Sequence, residues 1–217
     1  MNQIASYIEH TLLKPDATAT DIENLCAEAQ QNQFLGVCVN GSWVRQASLW
    51  LQDTNIKVIS VAGFPLGAGA TGTKRFETET AIARGAQEID VVLNIGRFKQ
   101  GDDAYVLAEL REIIKAAAGL PVKVIIETGL LNKEEKIRAC RLTVDSGAHF
   151  VKTSTGFSTG GATVEDVALM RKIVGPTFGV KASGGIRDTK TALALIEAGA
   201  TRIGTSAGVA IVKGLSE

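Results

Sequence analysis

Eight short aliphatic runs recur along the chain, one every 22 to 34 residues or so, roughly the length of a strand-plus-helix unit. They read YIEHTLL, GVCVN, KVISVAG, EIDVVLNIG, VKVIIETG, HFVKTSTG, GVKASGG and RIGTS. Most are rich in Val and Ile, as strands covered on both faces of a parallel sheet are. Each is followed by a turn and then a helical pattern. Thr20 with Glu23 has the spacing of a capping box. Asp102 or Asp103 can cap a helix that places Val106, Leu110, Ile113 and Ile114 on one face and ends at Gly119. Asp188 can cap TKTALALIEAG, and Gly85 closes TETAIARG. Only Gly63 to Gly72 forms a long glycine-rich connection, and no linker or charge block divides residues 1–217. Eight such units fit one α/β domain, a (β/α)₈ TIM barrel, a fold of typically about 250 residues. An open doubly wound sheet is the alternative. The count of eight, and the lack of a GxGxxG after the first clear strand, favour the barrel.

Composition narrows the partners. The 217 residues carry 23 basic and 23 acidic side chains, so the formal charge is zero. With no basic stripe, nucleic acid and anionic membranes are poor partners. No apolar run approaches the roughly 18 residues that span a bilayer. The opening MNQIASYIEH has neither the basic nor the apolar region of a signal peptide. Cys26, Cys38 and Cys140 form no CxxC and read as buried, reduced thiols of a cytoplasmic protein.

Strand alternation sorts side chains between the barrel interior and the helices. It turns Asp90, Val92 and Asn94 inward, together with Phe150, Lys152 and Ser154, and Lys181 and Ser183. Glu9 and Thr11 face in while His10 faces out. Cys38 and Asn40 share an inward face. Two lysines at strand ends and a carboxylate thus occupy one interior. Uncompensated buried charge is expensive, so these groups must pair. A purely structural ion network meets that need, but it does not explain why both lysines stand beside Gly/Ser/Thr loops at the end of the barrel where active sites lie. Two close ammonium groups, desolvated, disfavour each other's charge, so one becomes a usable amine nucleophile. That is the requirement of Schiff-base chemistry on a carbonyl compound. Asp90 is the candidate for proton transfer.

The loops after the last three strands are built of small residues. TSTG brings Thr155 and Gly156, SGG brings Gly184 and Gly185, and GTSAG brings Gly204 and Ser206. Small residues let backbone N–H groups approach an anion, and the final helix pattern begins just after Ser206. Phosphate in this fold is often held by the loops after strands seven and eight. Asn94, Asn40 and Glu127 are candidates for substrate contact or plain filling. Cys38 reads as a small buried hydrophobe on the inward side, at the edge of the same candidate site. The only histidines, His10 and His149, face the helices, so a histidine-rich metal site cannot be assembled. Trp43 and Trp50 read as packing or subunit-interface residues.

These residues resemble the deoxyribose-phosphate aldolases, lysine-dependent enzymes of deoxyribonucleotide breakdown. HTLLKP, GFPLG, EIDVVLNIG, KVIIETGLL, FVKTSTGF, GVKASGGIRD and RIGTSAG occur in that family's order over nearly the whole chain. The resemblance implies that Lys152 is the Schiff-base lysine. It implies that Lys181 depresses the pKa of Lys152 and joins a proton relay, and that Asp90 is the acid/base carboxylate. It places the substrate phosphate at Gly156, Gly184, Gly185 and Ser206. The implied reaction cleaves 2-deoxy-D-ribose 5-phosphate reversibly to acetaldehyde and D-glyceraldehyde 3-phosphate, with no metal or organic cofactor. A homodimer is the family's habit. Three positions depart from the pattern. Glu9 stands where members commonly have Asp. Phe157 stands where some have a lysine. The closing KGLSE lacks the terminal tyrosine of some members. Two other readings remain beside this one: a Schiff-base barrel enzyme for a different sugar phosphate, and a non-catalytic barrel that binds a phosphorylated ligand.

Overall fold

The computed structural model describes residues 3–214; the closing LSE lies outside the described residues. Eight parallel strands close into a barrel in sequential order. They are β1 (Ile8–Leu12), β2 (Gly36–Val39), β3 (Lys57–Ala62), β4 (Glu88–Val92), β5 (Val122–Ile125), β6 (Phe150–Lys152), β7 (Gly179–Ser183) and β8 (Arg202–Thr205). The seam is closed by β1 pairing with β8, with Glu9 opposite Gly204. The barrel expected from sequence is therefore the fold, and the open doubly wound sheet is excluded.

Nine α-helices are described: α1 (Ala19–Asn32), α2 (Val44–Trp50), α3 (Thr71–Ala83), α4 (Ile95–Lys99), α5 (Asp103–Ala116), α6 (Lys133–Asp145), α7 (Val164–Val174), α8 (Thr189–Glu197) and α9 (Gly208–Lys213). The short α4, lying in the connection after β4, is the one the aliphatic pattern does not predict. Its signal is a cap: Asn94 Oδ1 accepts from the Arg97 N–H at 3.3 Å. The cap of α1 lies two residues before the expected pair. Thr18 and Asp21 form its capping box, with the Thr18 N–H donating to Asp21 Oδ2 at 2.8 Å. Asp102 caps α5 and Asp188 caps α8, the latter accepting from the Thr191 N–H at 2.8 Å.

The main core lies between strands and helices. Ile89, Val91 and Leu93 of the β4 segment, Val122 and Val124 of β5, and Val180 and Ala182 of β7 all point into it. Val106, Leu110 and Ile113 of α5 meet them, fully buried. Burying one such aliphatic side chain stabilises by roughly 1.5–3 kcal/mol. A smaller apolar cluster of Leu13, Cys38, Ile59 and Val61 fills part of the barrel interior. Between α3 and α5 runs a buried ion pair. Lys74 Nζ donates to Glu109 Oε1 at 2.6 Å and to the Val92 carbonyl at 2.9 Å, tying both helices to the mouth end of β4. Trp43 and Trp50 are partly buried against the core at the two ends of α2.

Candidate active site

Lys152 ends β6, and its register partner on β7 is Lys181. Equal register in a parallel pair sends both side chains to the same face at the same height. Both amines reach one carboxylate oxygen. Asp90 Oδ2 accepts from Lys152 Nζ at 2.8 Å and from Lys181 Nζ at 2.6 Å. Asp90 is itself in register with Lys123 on β5, whose Nζ donates to Oδ1 at 3.0 Å. Lys181 also donates to Glu9 on β1. Lys123 Nζ lies 2.6 Å from Glu88 Oε2 and 3.6 Å from Glu9 Oε1. Glu88 turns its other oxygen to Lys57 at 2.6 Å, and Arg202 Nε lies 3.6 Å from Glu9 Oε1. The barrel interior thus holds a ring of alternating charge, buried at Glu9, Glu88, Asp90, Lys123, Lys152 and Lys181.

The two mouth lysines are unequal. Burial lowers the pKa of Lys152, and the Lys181 charge lowers it further; Asp90 opposes this without overcoming it. Burial pulls Lys181 the same way, but Asp90 and Glu9 together override it and hold Lys181 above the ordinary lysine value. Burial would raise Asp90, yet Lys123, Lys152 and Lys181 hold it well below the usual carboxylate range. The arrangement can present a neutral amine on Lys152 beside a charged ammonium on Lys181 and an ionised Asp90.

A cavity of about 380 Å³ opens over Lys152. On one side it is walled by Thr155, Gly156, Gly184, Gly185, Gly204 and Ser206. Gly184 and Gly185 both have positive φ, +90° and +77°, a conformation that side chains disfavour, so the wall there is bare backbone. Thr155 is braced from behind, its hydroxyl donating to the buried Glu127 Oε2 at 2.5 Å. Thr153 ties the two glycine-bearing loops together: its Oγ1 donates to the Ser183 carbonyl and accepts from the Ser183 N–H, both at 3.0 Å. Phe157 also lines the cavity and packs edge-on against Phe64, with ring centroids 5.3 Å apart.

The structure brings together Lys152, Lys181 and Asp90, and six of the eight residues expected to contact the substrate or its phosphate line the cavity. Asn94 and Cys38 do not line the cavity, although Cys38 is close enough to act electrostatically on both mouth lysines. The Asn94 side chain is occupied in capping α4. Cys38 is sealed in the inner apolar cluster, where burial pushes its thiol up to about 11. Glu127 supports the Thr155 loop rather than lining the cavity. Sequence reasoning passed over Lys123 and Glu88, although VKVII carries the same strand-embedded lysine that marked Lys152 and Lys181. It also passed over Lys14 and Arg187, which line the cavity from the loops after β1 and β7. Glu9 is inward, as alternation predicted, and pairs with Lys181. His10 faces out, its Nε2 against Glu28 at 2.7 Å, and His149 Nδ1 accepts from the Val122 N–H. Among the described residues no group of His, Cys, Asp and Glu is arranged to hold a metal ion. No described helix is long and apolar enough to cross a membrane.

A closed parallel barrel with a buried lysine at its mouth, a second lysine and a carboxylate beside it, and a bare backbone wall over it has the layout of a barrel enzyme with a candidate amine nucleophile. The comparisons narrow the class. The family model described as DeoC/LacD family aldolase matches residues 4–214. The chain belongs to that family. It is 61% identical over 210 residues to a deoxyribose-phosphate aldolase of Alkaliphilus oremlandii, covering 96% of this chain and 95% of that one. It is 59% identical over 214 residues to a deoxyribose-phosphate aldolase of a Geobacillus species, covering 98% and 96%. Among solved structures, a putative deoxyribose-phosphate aldolase of Coccidioides immitis superposes with TM-score 0.97 at 39% identity, covering 100% of this chain and 87% of that one. The deoxyribose phosphate aldolase of Aeropyrum pernix, described as having a unique tetrameric structure, gives 0.93 at 35% identity, covering 100% and 92%.

Proposed function

We propose that the chain is a deoxyribose-phosphate aldolase that cleaves 2-deoxy-D-ribose 5-phosphate reversibly to acetaldehyde and D-glyceraldehyde 3-phosphate, with Lys152 as the Schiff-base lysine. The observation that carries this reading is geometric: of the two lysines that share Asp90 Oδ2, Lys152 lines the cavity and Lys181 does not, and burial lowers the pKa of the one that does. Neutral Lys152 Nζ attacks the C1 aldehyde of the open-chain sugar, and uptake of one proton with loss of water gives a protonated imine. Removal of the proton from the C3 hydroxyl breaks the C2–C3 bond. Its electron pair moves into the imine, which becomes an enamine, and C3 leaves as the aldehyde of glyceraldehyde 3-phosphate. Protonation at C2 and hydrolysis then release acetaldehyde and restore the amine. Asp90, bridging Lys152 and Lys181, is the group we assign to proton transfer, directly or through Lys181 or a water. Thr155, Gly156, Gly184, Gly185, Gly204 and Ser206 are assigned to the phosphate end.

Incubation with 2-deoxyribose 5-phosphate, borohydride reduction and peptide mapping tests the assignment. The expected product is an adduct on Lys152. No adduct on any lysine would sink the reading, and an adduct formed only with another sugar phosphate would shift the substrate. The three free, buried cysteines support a reducing compartment, which we take to be the cytoplasm. We also take the protein to be a homodimer, supported by Leu49 on α2 and Phe76 on α3, which stay 51% and 67% exposed. Light scattering after size exclusion checks this, and a monomer would refute it.

A further inference from the structure

A sugar phosphate ester carries a charge of about −1.5 to −2 at neutral pH. The cations that line the cavity are Lys152, Lys14 and Arg187. The proposed chemistry reserves Lys152 for the carbonyl, at the far end of the substrate. Phe157, which also lines the cavity, contributes none. Arg187 alone leaves the phosphate roughly half compensated.

Lys14 is the remaining cation, and its placement is specific. It sits between this cavity and a second one of about 370 Å³, and Ser206 of the proposed phosphate wall is among the residues the two share. Lys14 and Ser206 thus line both cavities. Its backbone is held. Asn40 Nδ2 donates to the Leu13 carbonyl at 3.1 Å, and the Ala17 N–H to the Lys14 carbonyl at 3.3 Å. Pro15 further restricts it to extended geometry. Its side chain is exposed and takes part in none of the ion pairs described above. Asp21, which lines the second cavity, acts on Lys14 only through space, because its Oδ2 already accepts from the N–H and hydroxyl of Thr18.

We propose that Lys14 is a specificity-determining cation for the phosphate end of the substrate, complementing Arg187 in the cavity that Ser206 also lines. This rests on the aldolase reading above, and the experiment separates the two. For wild type, Lys14→Met and Lys14→Arg, kcat/KM is measured on 2-deoxyribose 5-phosphate and on 2-deoxyribose. In Lys14→Met the ratio of the two is expected to fall about fivefold, carried by KM rather than kcat, and Lys14→Arg should restore it. An unchanged ratio overturns the proposal. Calorimetric binding of glycerol 3-phosphate, which has the phosphate but no carbonyl, gives a readout free of turnover. About fivefold weaker binding to Lys14→Met supports the role even if wild type cleaves neither sugar, in which case only the aldolase reading falls. Equal binding overturns the role even if the aldolase reading stands.

Discussion

Lys152 and Lys181 occupy one register level on neighbouring strands, and the difference between them is what the buried carboxylate of Glu9 makes of that symmetry. Glu9 touches Lys181 and not Lys152, so one ammonium is fixed and the other is exposed to its repulsion. Removing Lys181 should therefore raise the pKa of Lys152. In Lys181→Met the acid limb of the pH–rate profile is expected to move to higher pH, with activity at pH 7 down at least about tenfold, the factor for one pKa unit. A limb that stays in place would show that Lys181 does not tune Lys152. Gly204 gives a second handle. A Cβ built there would lie 3.0 Å from Lys181 Cε and collide with Ser183 Oγ. Gly204→Ala should cost on the order of tenfold or more in kcat by displacing both, while circular dichroism stays native. The lysine pair was legible because alternation places a charged residue at the end of an aliphatic run. Lys123 was passed over because it stands at the start of its aliphatic run, as the second residue of β5, and not at the strand end where active sites lie. The Asn94 cap was hidden because an inward side chain near a strand end looks the same whether it meets substrate or an N–H group.

Strand positions, helix positions and their order could be read because aliphatic runs and caps are local signals. The start of α1 slipped because Thr18 with Asp21 caps it at the same spacing as Thr20 with Glu23, and only the backbone decides between them. The bond between α3 and α5 was not legible at all, since Lys74 and Glu109 are 35 residues apart and each looks like a surface residue. Lys74 is buried between the helices, where desolvation lowers its pKa against the pull of Glu109. Breaking one partner leaves the other charge uncompensated. Lys74→Met is expected to lose about 3–5 kcal/mol in urea denaturation, and the double change with Glu109→Leu to regain much of it. A loss below 1 kcal/mol in the single variant would mean that Glu109 finds water or another donor.

For the whole molecule, the charge ring sets how stability follows pH. Burial would raise Glu88 and Asp90, but the lysines around them hold both below their ordinary values. Their contribution is full above the unfolded carboxylate range, near pH 4, and is lost as pH falls through the depressed values. Burial would lower Lys123 and Lys181, but Asp90 and Glu9 hold both raised. Their contribution is full below about pH 10 and is lost as pH rises through the higher folded values. Denaturation midpoints should therefore fall steeply below about pH 4, while Lys152 and Lys74, both lowered by burial, make stability rise with pH wherever they are neutral in the folded state and charged in the unfolded one; a midpoint unchanged as pH falls through about 4 would contradict the network. The ring has one more consequence. With every member ionised, its three buried carboxylates and three buried ammonium groups cancel. Once Lys152 gives up its proton, the interior is short of one positive charge. A protonated imine on Lys152 would supply that charge at the same nitrogen. The interior then acts as a fixed-charge host with a single vacant cation place, and the barrel itself draws the carbonyl compound toward its cationic adduct.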